Sequence, residues 1–153
     1  MNNLTRFLLA DDDTDDTSLF CEALHLVDAN ISCNIAENGK HVMEILKDDT
    51  AEKPQFIFLD LNMPVMTGWE CLERLKKDQA LAEIPVVIYS TSSNQLDMER
   101  AFALDAFCFI TKPDHFKVLT SILGIFVKTS LAELPSRLRD YGNVTFNTGK
   151  CPN

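Results

Sequence analysis

The chain alternates short apolar runs with longer segments in which apolar residues recur at helical spacing. Runs typical of buried strands lie at 6–10, 31–36, 56–59, 85–89 and 106–110. Segments whose apolar residues repeat every three or four positions, as on one face of a helix, lie at 19–27, 42–46, 69–76, 98–105 and 116–126. Strands that alternate with helices predict βαβ units and a parallel sheet with helices on both faces.

Residues that favour helix ends support these boundaries. Asp13 or Thr14 is the predicted N-cap of the first helix, Thr67 that of the third and Asp114 that of the last. After the last helix, apolar residues 131, 134, 138 and 141 share one helix face, and Pro135 can start a new helix there. The residues from 143 to 153 are predicted to be a polar tail.

Composition excludes several classes of protein. The net charge of −9 and the absence of any basic run argue against a nucleic-acid-binding surface. No apolar stretch approaches the length of a membrane span, and the first residues do not resemble a signal peptide. None of the five cysteines form a CxxC pair, and four lie in apolar patterns, so we expect buried thiols in a reducing cytoplasm.

Polar and charged residues follow four of the predicted strands. Asp11-Asp12 follows the first strand, Asp60 the third, Ser90 the fourth and Lys112 the fifth. The carboxyl ends of parallel strands meet at one edge of a sheet, so these residues should lie together there. Three carboxylates and one lysine predict an acidic pocket that binds a divalent metal and can hold a phosphoryl group.

Each of these residues also has an ordinary structural explanation. Acidic residues in the first turn of a helix complement its dipole, which accounts for Asp13, Asp15 and Asp16. It does not account for Asp11 and Asp12, because adjacent carboxylates at a strand end repel unless a cation lies near them. Mg²⁺ prefers such oxygen ligands. A carboxylate such as Asp60 can also attack phosphorus as a nucleophile.

Taken together, these residues resemble the receiver domain of a two-component response regulator, of the stand-alone, chemotaxis-regulator-like kind. The matching features are Asp11-Asp12, the loop Asp60–Gly68, Ser90, Phe109 and Lys112-Pro113. The resemblance covers residues 4–130 and leaves 131–153 as a C-terminal extension with no separate output domain. It implies a flavodoxin-like, doubly wound α/β fold with five parallel strands in the order 2-1-3-4-5 and five helices.

The resemblance also implies a role for each matching residue. Asp60 would accept a phosphoryl group from a sensor histidine kinase or a histidine phosphotransfer protein. Mg²⁺ or Mn²⁺ would be held by Asp12, Asp60 and the backbone carbonyl of Asn62, with Asp11 acting through water. Lys112 would neutralise charge on the phosphoryl oxygens.

Further residues would report the phosphorylation. Ser90 would move toward the phosphoryl group, and Phe109 would turn inward into the space that Ser90 leaves. Asn62, Thr91 and Ser92 would modulate the lifetime of the phosphoryl group. The peptide bond before Pro113 would be cis, as X-Pro bonds allow.

The predicted function is a phosphorylatable signalling switch in the cytoplasm that acts through partner binding or phosphorelay. It would not be an enzyme, although self-catalysed phosphotransfer and slow auto-dephosphorylation are expected. An alternative is a Mg²⁺-dependent phosphatase with an Asp nucleophile, although Asn62 stands where that chemistry wants a second acid. A flavin or nucleotide protein is disfavoured because no glycines form a GxG motif.

The last helix is apolar over most of its circumference, which leaves two interpretations open. Its surface is covered either by Leu131, Leu134 and Leu138 of the extension or by another molecule, a second copy in a homodimer or a partner protein.

Overall fold

The computed structural model describes residues 5–149. They form one six-stranded sheet with helices on both faces. The strands are β1 Arg6–Ala10, β2 Ser32–Ala36, β3 Phe56–Leu59, β4 Val86–Ser90, β5 Cys108–Thr111 and β6 Val144–Phe146. The helices are α1 Thr14–Val27, α2 Gly39–Leu46, α3 Gly68–Lys77, α4 Gln95–Ala103, α5 Phe116–Lys128 and the short α6 Leu134–Arg137, which follows a 3-10 turn at Leu131–Glu133.

The sheet order is β2-β1-β3-β4-β5-β6, and the first five strands pair in parallel. The predicted order 2-1-3-4-5 is therefore confirmed. All residues of β3 and β4 are buried, as are four of the five in β1. Continuous apolar runs suit these central strands because helices cover both of their faces.

Side-chain caps start the four helices α1 to α4, and the caps of α1 and α3 are the predicted ones. Asp13 caps α1 by accepting hydrogen bonds from the backbone N–H groups of Asp15 and Asp16. Thr67 caps α3 in a reciprocal capping box with Glu70. Asn94 caps α4. The prediction for Asp114 is wrong, because α5 begins after His115, which makes no side-chain capping hydrogen bond.

Two apolar layers fill the space between the sheet and its helices. One joins the sheet to α2, α3 and α4, and the other joins it to α1, α5 and the extension. The second layer is rich in aromatic rings, and Phe58 contacts the rings of Phe7, Phe20 and Phe126 at centroid distances of 5.0 to 5.4 Å. These layers fix the strand ends that carry the polar residues.

The C-terminal extension is part of this domain. Leu134 and Leu138 are fully buried in the same layer as α5, which supports coverage of that helix by the extension. Residues 144–146, predicted to be polar tail, form β6 and pair antiparallel with β5. The described residues thus contain one strand, β6, and one short helix, α6, more than the five strands and five helices predicted. The strand forms because Val144 and Phe146 bury apolar surface against the sheet.

Among residues 5–149, no helix is both long and apolar enough to cross a membrane.

Candidate functional site

Backbone hydrogen bonds continue past the strand ends and place the predicted site residues side by side. The N–H of Asp60 donates to the carbonyl of Ala10 at 2.9 Å, directly before Asp11. The N–H of Lys112 donates to the carbonyl of Ser90 at 2.7 Å. The parallel register thus brings residues that are far apart in sequence to one edge of the sheet.

Lys112 lies among carboxylates at this edge. Its Nζ donates to Asp11 Oδ2 and to Asp16 Oδ2, both at 2.7 Å. Asp60 Oδ2 is farther away, at 3.9 Å. The sequence assigned Asp16 only to the start of a helix, so this contact adds a fourth carboxylate to the site.

The partners of Lys112 keep it charged. Burial alone would lower the pKa of the Lys112 ammonium, but its hydrogen bonds to Asp11 and Asp16 outweigh that effect and raise the pKa. The Tyr89 ring also lies 5.5 Å from Nζ, where its π face favours a cation. Burial raises the pKa of Tyr89, so its phenol stays neutral beside the lysine.

The surroundings of Asp60 change its ionisation. Burial, followed by the negative charge of Asp11, raises the pKa of Asp60 to about 6, against the opposing effects of Lys112 and the N–H of Leu61. That N–H donates to Asp60 Oδ1 at 2.8 Å, which leaves Oδ2 on the side of Lys112. Above its pKa, Asp60 presents a poorly solvated carboxylate oxygen.

The donor set at this edge fits a small divalent cation. Asp11, Asp12 and Asp60 each offer an oxygen, and these oxygens lie within 4.8 Å of one another. Ligand oxygens about 2.1 Å from an octahedral Mg²⁺ are about 3 to 4.2 Å apart, so a small adjustment suffices. Asp12 is exposed whereas Asp11 and Asp60 are buried, so the pocket opens to solvent at Asp12.

The loop after Asp60 packs closely on the site. The N–H of Gly68 donates to the carbonyl of Leu61, and a Cβ on Gly68 would lie 2.0 Å from the carbonyl oxygen of Asp60. Only glycine therefore allows α3 to begin this close to Asp60. Asn62 is exposed at the start of the same loop.

Ser90 connects the site to neighbouring elements. Its side chain is fully buried, and its Oγ accepts a hydrogen bond from the N–H of Ser92 at 3.2 Å. Ser92 in turn donates from Oγ to Asp97 in α4 at 2.7 Å, and its carbonyl accepts from Thr111 Oγ1 in β5 at 2.8 Å.

One expectation from the resemblance differs from the structure. Among residues 5–149 there is no cis peptide bond, so the bond before Pro113 is trans. The trans form is the more stable one for X-Pro bonds, and with it Lys112 still reaches Asp11. Phe109 is fully buried in the layer that contains Ile88 and Ala101, and its turn into the space left by Ser90 stays a prediction.

Residues 7–123 match the family of response regulator receiver domains, and the chain belongs to this family. Receiver domains are phosphorylatable signalling switches of two-component systems, and this chain is such a switch. The match fits the fold and the cluster of acidic residues with one lysine described above. It gives no support to the alternative of a phosphatase.

Individual relatives agree with this assignment. The response regulator Rcp1 of Synechocystis sp. is 31% identical over 130 residues, which cover 80% of this chain and 88% of Rcp1. The crystal structure of the phosphorylated cyanobacterial phytochrome response regulator RcpA has a TM-score of 0.77 and 30% identity, covering 83% of this chain and 96% of RcpA. The Mn²⁺-bound form of Rcp1 has a TM-score of 0.75 and 29% identity, covering 82% of this chain and 96% of that one.

Proposed function

We propose that Asp60 accepts the phosphoryl group, from a sensor histidine kinase or a histidine phosphotransfer protein. The observation that carries this proposal is the position of Asp60 at the edge where Lys112, Asp11 and Asp12 converge. Asp60 is buried, and its Oδ2 lies near Lys112 without a hydrogen bond to that lysine. Asp11 and Asp16 are both hydrogen-bonded to Lys112, and Asp12 is exposed.

The chemistry follows from this placement. A carboxylate oxygen of Asp60 attacks phosphorus while the bond from phosphorus to the imidazole nitrogen of the donor breaks. The N–H of Leu61 holds the other oxygen and so orients the carboxylate. The ammonium of Lys112, 3.9 Å away, moves toward the incoming phosphoryl oxygens and neutralises their charge.

A divalent cation completes the site. Asp12, Asp60 and the backbone carbonyl of Asn62 would hold Mg²⁺ or Mn²⁺, with Asp11 acting through water. The cation supplies positive charge that screens the repulsion between these carboxylates and the phosphoryl group. The Mn²⁺-bound structure of Rcp1 supports this part of the proposal.

Ser90 would convert phosphorylation into a structural change. Its hydroxyl turns to donate to a phosphoryl oxygen, and the hydrogen bond from the N–H of Ser92 is strained or lost. Because Ser92 is bound to Asp97 and Thr111, its displacement reaches α4 and β5 together. Phe109, which is buried in the same apolar layer as Ala101 of α4, would turn into the space that Ser90 leaves.

The protein would catalyse its own phosphorylation and its slow dephosphorylation. Asn62 and Thr91 are exposed and Ser92 is partly exposed, at the rim where a water molecule must approach Asp60. We expect these side chains to set the phosphoryl lifetime by controlling that approach. Such a switch, with a kinase or phosphotransfer protein as its donor, would act in the cytoplasm.

A homodimer through α5 and the extension stays a prediction. Leu134 and Leu138 cover part of the apolar surface of α5, while Val118, Ile125 and Val127 stay partly exposed and would form the interface. Light scattering of the full-length protein, with and without a phosphodonor, tests this prediction. A dimer mass in either state supports the interface, and a monomer in both states contradicts it.

Intact mass after incubation with acetyl phosphate and Mg²⁺ tests the proposed function. We expect the wild-type protein to gain one phosphoryl group, and the gain to disappear when Mg²⁺ is removed. In Asp60→Asn the gain should be absent. An equal gain in Asp60→Asn, or none in the wild-type protein at any Mg²⁺ concentration, contradicts the proposal.

A further inference from the structure

Two cysteines that are distant in sequence meet on the face of the sheet that packs against α1. Cys21 lies on α1 and Cys33 on β2, and their Sγ atoms are 3.4 Å apart. We propose that Cys21 and Cys33 form a redox-modification site, in which a hydroperoxide converts the two thiols into a reversible disulfide. This site is separate from Asp60 and does not depend on phosphorylation.

The distance between the sulfur atoms is already short. A disulfide bond is about 2.05 Å long, so the sulfurs must approach by about 1.4 Å. Rotation about the side-chain bonds can supply part of this movement. The two thiols are therefore in direct contact, whereas the sequence predicted separate buried thiols.

Access distinguishes this pair from the other described cysteines. Cys21 and Cys33 are partly exposed, whereas Cys71 and Cys108 are buried. Burial also raises the pKa of Cys71 to about 12 and that of Cys108 well above its usual range, which keeps both as unreactive thiols. Cys151 lies outside the described residues.

The pair also has an asymmetry that selects the attacking sulfur. When Cys21 ionises, the thiol of Cys33 donates to it, and this hydrogen bond lowers the pKa of Cys21 to about 7. The same contact, together with burial, raises the pKa of Cys33. This hydrogen bond favours the thiolate of Cys21, which we assign as the attacking sulfur, with Cys33 as the resolving thiol.

The reaction balances in two steps. The Cys21 thiolate attacks an oxygen of the hydroperoxide, an S–O bond forms, the O–O bond breaks, and an alcohol or water leaves after protonation. The Cys33 sulfur then attacks the Cys21 sulfur, an S–S bond forms, the S–O bond breaks, and the hydroxyl leaves as water with the proton of Cys33. A dithiol reductant reverses the result and is itself oxidised to a disulfide.

Peptide mapping of the full chain tests the proposal. Cys151→Ser protein is treated with equimolar hydrogen peroxide, its free thiols are alkylated in denaturant, and it is digested without reductant. We expect a peptide pair linked through Cys21 and Cys33 and an intact mass about 2 Da lower, restored by dithiothreitol. Complete alkylation of both cysteines, or oxidation of Cys71 or Cys108 at the same rate, overturns the proposal.

Two serine variants in the same background separate the roles of the two sulfurs. In Cys33→Ser, dimedone should trap a sulfenic acid at Cys21, because no resolving thiol is present. In Cys21→Ser, labelling of Cys33 should be several-fold lower. Equal labelling in the two variants contradicts the assignment of Cys21 as the attacking thiolate, and circular dichroism checks that both variants are folded.

Discussion

Asp16 Oδ2 lies 2.7 Å from the Nζ of Lys112, the same distance as the buried carboxylate of Asp11. The ammonium is therefore held by two carboxylates, while the proposed phosphoacceptor Asp60 lies 3.9 Å from it. A phosphoryl group on Asp60 has to compete with Asp16 for the lysine. Asp16 is about one-third exposed, so it is the weaker of the two competitors.

Asp16→Asn should accelerate phosphorylation by a small-molecule donor. The change removes a negative charge next to the developing phosphoryl charge and frees a donor on Lys112. A partly exposed ion pair such as this one is worth about 0.5 to 1 kcal/mol, which corresponds to an increase of about two- to fivefold in rate. The initial rate of phosphoryl incorporation from acetyl phosphate measures it.

Asp15→Asn is the matched control, because Asp15 lies in the same helical turn and is exposed. It removes the same charge from the start of α1 without removing a ligand of Lys112. If Asp16→Asn is slower than Asp15→Asn, Asp16 positions Lys112 productively and the competition described above is wrong.

Asp60→Asn should stabilise the metal-free protein at neutral pH. The pKa of Asp60 is raised from 3.8 to about 6, so between these values the folded state binds more protons at Asp60 than the unfolded state. Stability therefore falls as pH rises through this interval. At pH 7.5 without divalent cations, we expect the variant to be more stable by about 1 to 2 kcal/mol, as one pKa unit corresponds to about 1.4 kcal/mol and partial solvation reduces the effect.

Urea unfolding at pH 4 and pH 7.5 measures this difference, which should shrink toward the lower pH. Asp49→Asn, at an exposed position, controls for the loss of a surface charge. A variant that is less stable than the wild type at pH 7.5 contradicts the assigned effect of burial on Asp60.

Gly68→Ala should disturb the site through the backbone. Its Cβ would lie 2.0 Å from the carbonyl oxygen of Asp60 and 2.8 Å from Cα of Leu61, so the loop has to move. We expect a loss of about 2 to 3 kcal/mol in the free energy of unfolding and slower phosphorylation. Gly142→Ala is the control, because its Cβ would meet nothing within 4 Å. Equal stability of the two variants would show that the loop accommodates a side chain at Gly68.

Asn147→Ala should show that the extension stabilises the domain. The Asn147 side chain donates to the carbonyls of Phe102 in α4 and Ala106 in the loop before β5, at 3.1 and 2.9 Å, and so ties the end of β6 to both. Its loss should lower the free energy of unfolding by about 1 to 3 kcal/mol. Thr145→Ala, at an exposed position on β6, should change it by about 0.5 kcal/mol or less. Thermal or urea unfolding in which Asn147→Ala matches Thr145→Ala contradicts this role.

The sequence predicted those parts of the site that depend on strand ends. Asp11, Asp60 and Lys112 follow apolar runs, and the carboxyl ends of parallel strands necessarily share an edge. The contact of Asp16 with Lys112 was not predicted, because an acidic residue in the first turn of a helix is already explained by the helix dipole. A signal was present nevertheless: side chains in an α-helix lean toward its N-terminus, and this directs a residue of the first turn back to the strand end.

Other features depended on contacts that a single sequence does not encode locally. Cys21 and Cys33 meet only because the register of α1 on β2 brings them together. The strand Val144–Phe146 is three residues long and lies among polar residues, so its pairing partner β5 decides its structure. The cis bond expected before Pro113 came from resemblance alone and is not found.

Direct location of the phosphoryl group tests the central claim most closely. The protein is phosphorylated with acetyl phosphate and Mg²⁺, reduced with sodium borohydride, which converts an aspartyl phosphate to homoserine, and mapped by peptide mass spectrometry. We expect homoserine at position 60 and unmodified aspartate at positions 11, 12 and 16. Homoserine at any of those three positions with Asp60 unmodified would contradict it.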